Sequence, residues 1–106
     1  MKTYRLEDMI GGWFVGDFDV SVLRCKGAEV AVKRFAKGER FEPHYHKLSE
    51  EITVIVSGKV EINGVQYSQN DIILQEKMEC TDFVVLEDTT VVAVKVPSVP
   101  SDKYTP

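Results

Sequence analysis

The residues of this chain best suited to chemistry are its only two histidines, His44 and His46, which stand one residue apart and are followed by Glu50 and Glu51. In a strand, residues two apart share a face, so both imidazoles project from one side. The β-branched run Ile52-Thr53-Val54-Ile55-Val56 makes the next strand, and it brings the carboxylate of Glu51 back beside them. Two imidazoles and a carboxylate suit a divalent metal, Fe(II) first and Mn, Ni or Zn as alternatives. Without a metal the same groups serve as a polar pair, as general acid and base, or as contacts to a small ligand. A lone histidine near a strand end is ordinarily a hydrogen-bonded structural residue. The pair ahead of Glu51 is what points to a site, and Glu50 reads as its solvated neighbour.

These residues need a scaffold of strands, and the sequence provides one. Val20 to Arg24, Ala28 to Phe35, Phe41 to His46 and Glu51 to Val56 are strand-like runs separated by Lys26-Gly27 and Lys37-Gly38. Ser57-Gly58-Lys59 reads as a turn into Val60 to Ile62, and Asn63-Gly64 is a strong two-residue hairpin signal. Val65 to Tyr67, Ile72 to Leu74, Phe83 to Leu86 and Val91 to Val96 complete the set. No long segment has clean helical periodicity. Many short strands with regular turns predict an all-β sandwich or barrel over residues 20–96.

Both ends are less regular. Leu6, Met9, Ile10, Trp13 and Phe14 fall at near-helical spacing, but Gly11-Gly12 interrupts it. The expectation is a short helical turn, then an extended piece whose Trp13 packs over the open end of the core. Its alternative role is as a pocket wall or dimer contact. The tail from Val96 to Pro106 holds three prolines and cannot be an interior strand, so it wraps the barrel in extended form or frays.

Composition restricts the function. The chain has 106 residues, 43% hydrophobic and 28% charged, which reads as one ordinary globular domain, residues 1–106. A formal charge of −4 argues against a basic nucleic-acid-binding face. No apolar run is long enough to span a bilayer, and the first residues lack a signal-peptide core, so a cytoplasmic protein is expected. Cys25 and Cys80 are too few for a disulfide framework and read as free thiols.

The spacing Gly38, five residues, His44, one residue, His46, four residues, Glu51, six residues, Gly58 resembles the first motif of the cupins. The resemblance implies a cupin-type double-stranded β-helix, a small jelly-roll barrel. The second cupin motif is eroded. Its glycine falls on Asn70, its proline on Glu76, its second glycine on Met78 and its histidine on Thr81. Asn70 still accepts a left-handed turn. In metal-binding cupins the ligands are usually two histidines and a glutamate from the first motif plus the histidine that Thr81 replaces here. Cys80 and Asp82 adjoin that position but alternate away from it.

The resemblance implies a divalent metal at His44, His46 and Glu51 with a small organic ligand beside it, serving an oxygenase or isomerase. A metal-free reading follows from His44-Tyr45-His46-Lys47, which looks like the corresponding run of cupin-type nucleotide-sugar ketoisomerases and epimerases. A sensor or accessory protein is the non-catalytic reading. Candidate substrate contacts are Thr81, Tyr45 and Arg34, with Lys33 and Lys47 as further cations. Alternation turns Tyr45 away from the histidines, and solvated surface is the simpler role for the cations. Ile52-Val54-Val56 and Val91 to Val94 are apolar on both faces, which predicts a homodimer.

Overall fold

The computed structural model describes residues 1–106 as eight strands preceded by two short 3-10 turns, Leu6–Asp8 and Ile10–Gly12. The strands are β1 (Trp13–Gly16), β2 (Leu23–Arg24), β3 (Glu29–Phe35), β4 (Arg40–His44), β5 (Glu50–Ile62), β6 (Val65–Ser68), β7 (Ile72–Gln75) and β8 (Thr81–Val96). They form one sheet in the order β2-β1-β3-β8-β5-β6, with β4 also on β8 and β7 also on β5. All pairings are antiparallel except that of β1 with β2. No helix is long and apolar enough to cross a membrane.

Three expectations from sequence need correction. Ser57-Gly58-Lys59 does not reverse the chain. It lies inside the continuous strand β5, where the register against β8 slips between Ile55 and Val60. Gly58 has φ +98°, and a Cβ there would meet the Asp88 carbonyl and Thr89. Glycine therefore allows a bend that passes close under β8. Likewise Phe83 to Leu86 and Val91 to Val96 are halves of the 16-residue β8. The local signals were those of turns, but the long partner strands carry the chain through as bends. At the near end, the expected strand from Val20 shrinks to Leu23–Arg24.

The alternation of β3, β5 and β8 sorts the barrel into an inside and an outside. Ala31, Ile55, Val85, Val91 and Ala93 are buried, and Phe35, Ile62, Tyr67, Ile73 and Phe83 pack around Ile55, Val60 and Val91. The Asn63-Gly64 hairpin forms as expected, with both residues at positive φ.

The backbone of the second motif outlasts its residues. Asn70 has φ +74° and Met78 φ +68°, so both positions that carry glycine in the motif still take the left-handed conformation.

The tail wraps rather than frays. Ser98 and Asp102 are buried, and Tyr104 exchanges two 2.9 Å backbone hydrogen bonds with Tyr45.

Candidate functional site

A cavity of about 420 Å³ opens into the barrel. Its apolar wall includes Phe35, Phe41 and Phe83, three rings in mutual edge or tilted contact at 5.2–6.0 Å. Its polar wall includes His44, His46, Glu51, Thr81 and Gln75. Trp13 lines the cavity too, so its pocket-wall alternative describes its position.

Strand geometry explains why these side chains meet. His44 ends β4, pairs with Thr81 of β8, and projects inward. His46 follows two residues on, and the rings lie 5.3 Å apart at 74°. Glu51 enters on β5 between Gln75 of β7 and Lys95 of β8. Thr81, at the position of the second motif's histidine, faces the cavity, whereas Cys80 and Asp82 do not line it. Asp82 instead exchanges hydrogen bonds with Asn63 at the hairpin.

His46 is 2% exposed and held from both sides. Its Nδ1 donates to the Asp102 backbone carbonyl, which fixes the ring. Its Nε2 lies 3.3 Å from Glu51 Oε1 but makes no aligned hydrogen bond. The Glu51 carboxylate raises the His46 pKa, with burial opposing it and the Asp102 carbonyl assisting. Burial pushes Glu51 up, but His46, Lys95 and His44 outweigh it and leave the carboxyl below its ordinary value. His44 goes the other way from His46, lowered by burial and by the charges of Lys103 and His46. The two imidazoles are thus driven apart in protonation.

His44 Nδ1 and His46 Nε2 are both buried without a hydrogen-bond partner. Two orphaned imidazole nitrogens beside a carboxylate are a donor set of the type a first-row divalent ion takes. The bond from His46 Nδ1 to a carbonyl is also the outer contact that orients a metal-bound histidine. As the side chains stand, no three His, Cys, Asp or Glu donors converge on one point.

The structure separates the other sequence candidates. Lys33 and Phe35 line the cavity, and Arg34, between them on β3, is exposed on the opposite face. Tyr45, between two inward histidines, is absent from the wall and stacks on Tyr104 at 5.7 Å. Lys47 Nζ sits 4.2 Å from the Tyr104 ring centre. Arg34, Tyr45 and Lys47 therefore do not line the cavity: strand alternation turns Arg34 and Tyr45 out, and Lys47 lies in the bend after β4, over the Tyr104 ring.

Two residues that sequence reasoning did not single out belong to the site. Asp102, 2% exposed, accepts hydrogen bonds from the amides of Lys47, Leu48 and Ser49 at 2.9–3.0 Å. Burial pushes its carboxyl up, but the three amides more than offset this and hold it below its ordinary value. Lys103 follows and lines the cavity. The sequence of the tail carries no signal for either residue, because their positions depend on where the tail docks.

No family model matches the sequence, and no curated protein does. Solved structures do match. KdgF from a Halomonas species superposes with a TM-score of 0.63 at 24% identity, over 70% of this chain and 73% of that one. An uncharacterized protein with a double-stranded β-helix domain from Klebsiella pneumoniae gives 0.71 at 16% identity, over 98% and 90%. The fold is a double-stranded β-helix. The DMSP lyase DddQ of Ruegeria pomeroyi gives 0.74 at 12% identity, but the match covers 88% of this chain and only 49% of the lyase. Identities this low establish the fold and leave the activity to the site.

Proposed function

We propose that this chain is a small-molecule-binding cupin whose ligand lies in the barrel against the His44, His46 and Glu51 cluster, and that these three residues hold a divalent metal there. The observation that carries the reading is a pair of buried imidazole nitrogens without hydrogen-bond partners, on two residues that line one cavity beside Glu51. Leaving such atoms unpaired costs about 1–3 kcal/mol each, so a ligand or ion for them is worth its place. A bound divalent ion would supply Lewis acidity at the cavity's polar end. The chain's own residues do the rest. The Asp102 carbonyl keeps a proton on His46 Nδ1 and leaves Nε2 for the ligand side. The three phenylalanines supply the cavity's apolar wall.

The test is elemental analysis of protein purified without added metal and after reconstitution. Stoichiometric metal that disappears in the His44→Ala/His46→Ala variant supports the reading. Under roughly 0.1 metal per chain in the reconstituted parent refutes its metal part.

A second reading is favoured by the 3.3 Å approach of His46 to Glu51 and by the opposite shifts of the two histidines. In it the pair moves a proton beside a substrate carbonyl without metal, as in a nucleotide-sugar ketoisomerase or epimerase. A nucleotide sugar at millimolar concentration should then raise the melting temperature. No shift counts against it. The existence of lyases on this fold is compatible with either enzyme reading. A sensor with the same cavity would bind ligand without turnover.

We also propose a homodimer. Ile52 and Val54 of β5, Ile72 and Leu74 of β7, and Val92 and Val94 of β8 are cross-strand neighbours on the outer face. Ile72 is 69% exposed and Leu74 51%, an apolar patch that a second copy would cover.

A further inference from the structure

The cavity is lined by three lysines and three carboxylates, yet two of the lysines are unpaired. Of the acids lining it, Glu29 lies 3.7 Å from Lys95 and also accepts the Ser98 hydroxyl at 2.9 Å. Glu51 is beside His46, and Asp102 is taken up by three backbone amides. Lys33 and Lys103 line the same cavity and have no carboxylate within ion-pairing distance. Lys33 is half-buried, with its Nζ 5.1 Å from the centre of the Trp13 ring. Lys103 stands at the mouth, brought there from the tail by the burial of Asp102 and the Tyr45–Tyr104 bridge.

We propose that Lys33 and Lys103 form a seat for the anionic group of the ligand, a small organic acid whose apolar body lies along Phe35, Phe41 and Phe83. Two unpaired ammonium groups facing one cavity repel each other, and an anion between them removes that repulsion and gains two charge-assisted bonds. The electrostatics agree: burial depresses the pKa of Lys33, Glu51 opposes, and Lys103 adds to the depression. Carboxylate and phosphate share this chemistry. The inference rests on the cavity-binding reading above and deepens it by naming the substrate class. It is independent of the metal.

Trp13, the only tryptophan, stands beside Lys33 and reports on the seat by its fluorescence. We would titrate the protein with 3-phenylpropionate, with phenyl phosphate, and with the neutral 3-phenylpropionamide. Saturable anion binding, at least about tenfold tighter than that of the amide and weakened by added salt, supports the seat. Lys33→Met and Lys103→Met, which keep the aliphatic stems, should each weaken the anion about three- to tenfold and leave the amide unchanged. Whichever anion binds more tightly identifies the source, carboxylate or phosphate. Equal affinity for acid and amide, or an unaltered anion affinity in the double variant, overturns the seat but leaves the cavity reading standing. No saturable signal with any of the three probes overturns both. Should Lys33→Met fail to fold, the salt dependence of the parent and the exposed Lys103→Met variant still decide.

Discussion

Replacing Asp102 with alanine should be among the most damaging single changes available in this chain. Its carboxylate accepts the amides of Lys47 and Leu48 at 3.0 Å and of Ser49 at 2.9 Å. Hydrogen bonds to a charged group contribute roughly 1.5–3 kcal/mol each. Lys47 and Leu48 are exposed residues, so water recovers much of what their amides lose, whereas Ser49 is 0% exposed and stays unpaired. The expected cost is about 3–5 kcal/mol, a large share of the roughly 5–15 kcal/mol typical of a domain. At about 2.1 cal/mol/K per residue, this lowers the melting temperature by about 13–23 °C. Calorimetry or thermal circular dichroism on the purified variant measures it. Asp102→Asn, which keeps one carbonyl oxygen for the amides, should lose about 1–2 kcal/mol. A drop of less than about 3 °C for the alanine variant would refute the reasoning, because the carboxylate would then be holding nothing that water cannot.

Further expectations follow from the backbone and the outer face. Met78→Gly relieves a left-handed residue that is 60% exposed, and should raise stability by about 0.5–1 kcal/mol in urea unfolding. Gly58→Ala should cost about 2–4 kcal/mol by the same assay, because the new Cβ meets the Asp88 carbonyl at a positive φ. Sedimentation at micromolar concentration should show a dimer, and Ile72→Lys with Leu74→Lys should yield a folded monomer. A parent that sediments as a monomer would refute the apolar face as an interface.

The histidines, Glu51 and Thr81 were legible because their placement depends on local rules, namely spacing within a motif and alternation along a strand. The same rule could have distinguished Lys33 from Arg34, but only once Phe35 was known to face inward. Ser57-Gly58-Lys59 misled because a glycine with positive φ serves a turn and a bulge equally well, and only the register with β8 separates them. Met78 gave no hint of its backbone, since methionine has no preference for the left-handed region and the surrounding turn imposes it. Asp102 and Lys103 were illegible for a different reason. The partners of Asp102 lie more than fifty residues away, Lys103 is carried into place with it, and nothing in the tail's composition says where it docks.

That docking has a consequence for the order in which the protein is made. Synthesis runs from the N-terminus, so every barrel strand is complete before Asp102 and Lys103 leave the ribosome. The barrel strands come first, and the site is finished by the segment that follows them. A chain clipped after Val96 would keep all eight strands but lose the carbonyl that orients His46, the cap on Lys47 to Ser49, and Lys103. Such a fragment should be less stable than the whole chain by at least the cost of losing Asp102, and under the proposed reading it should bind anions more weakly, so binding assays should use preparations shown by mass to retain Asp102 and Lys103.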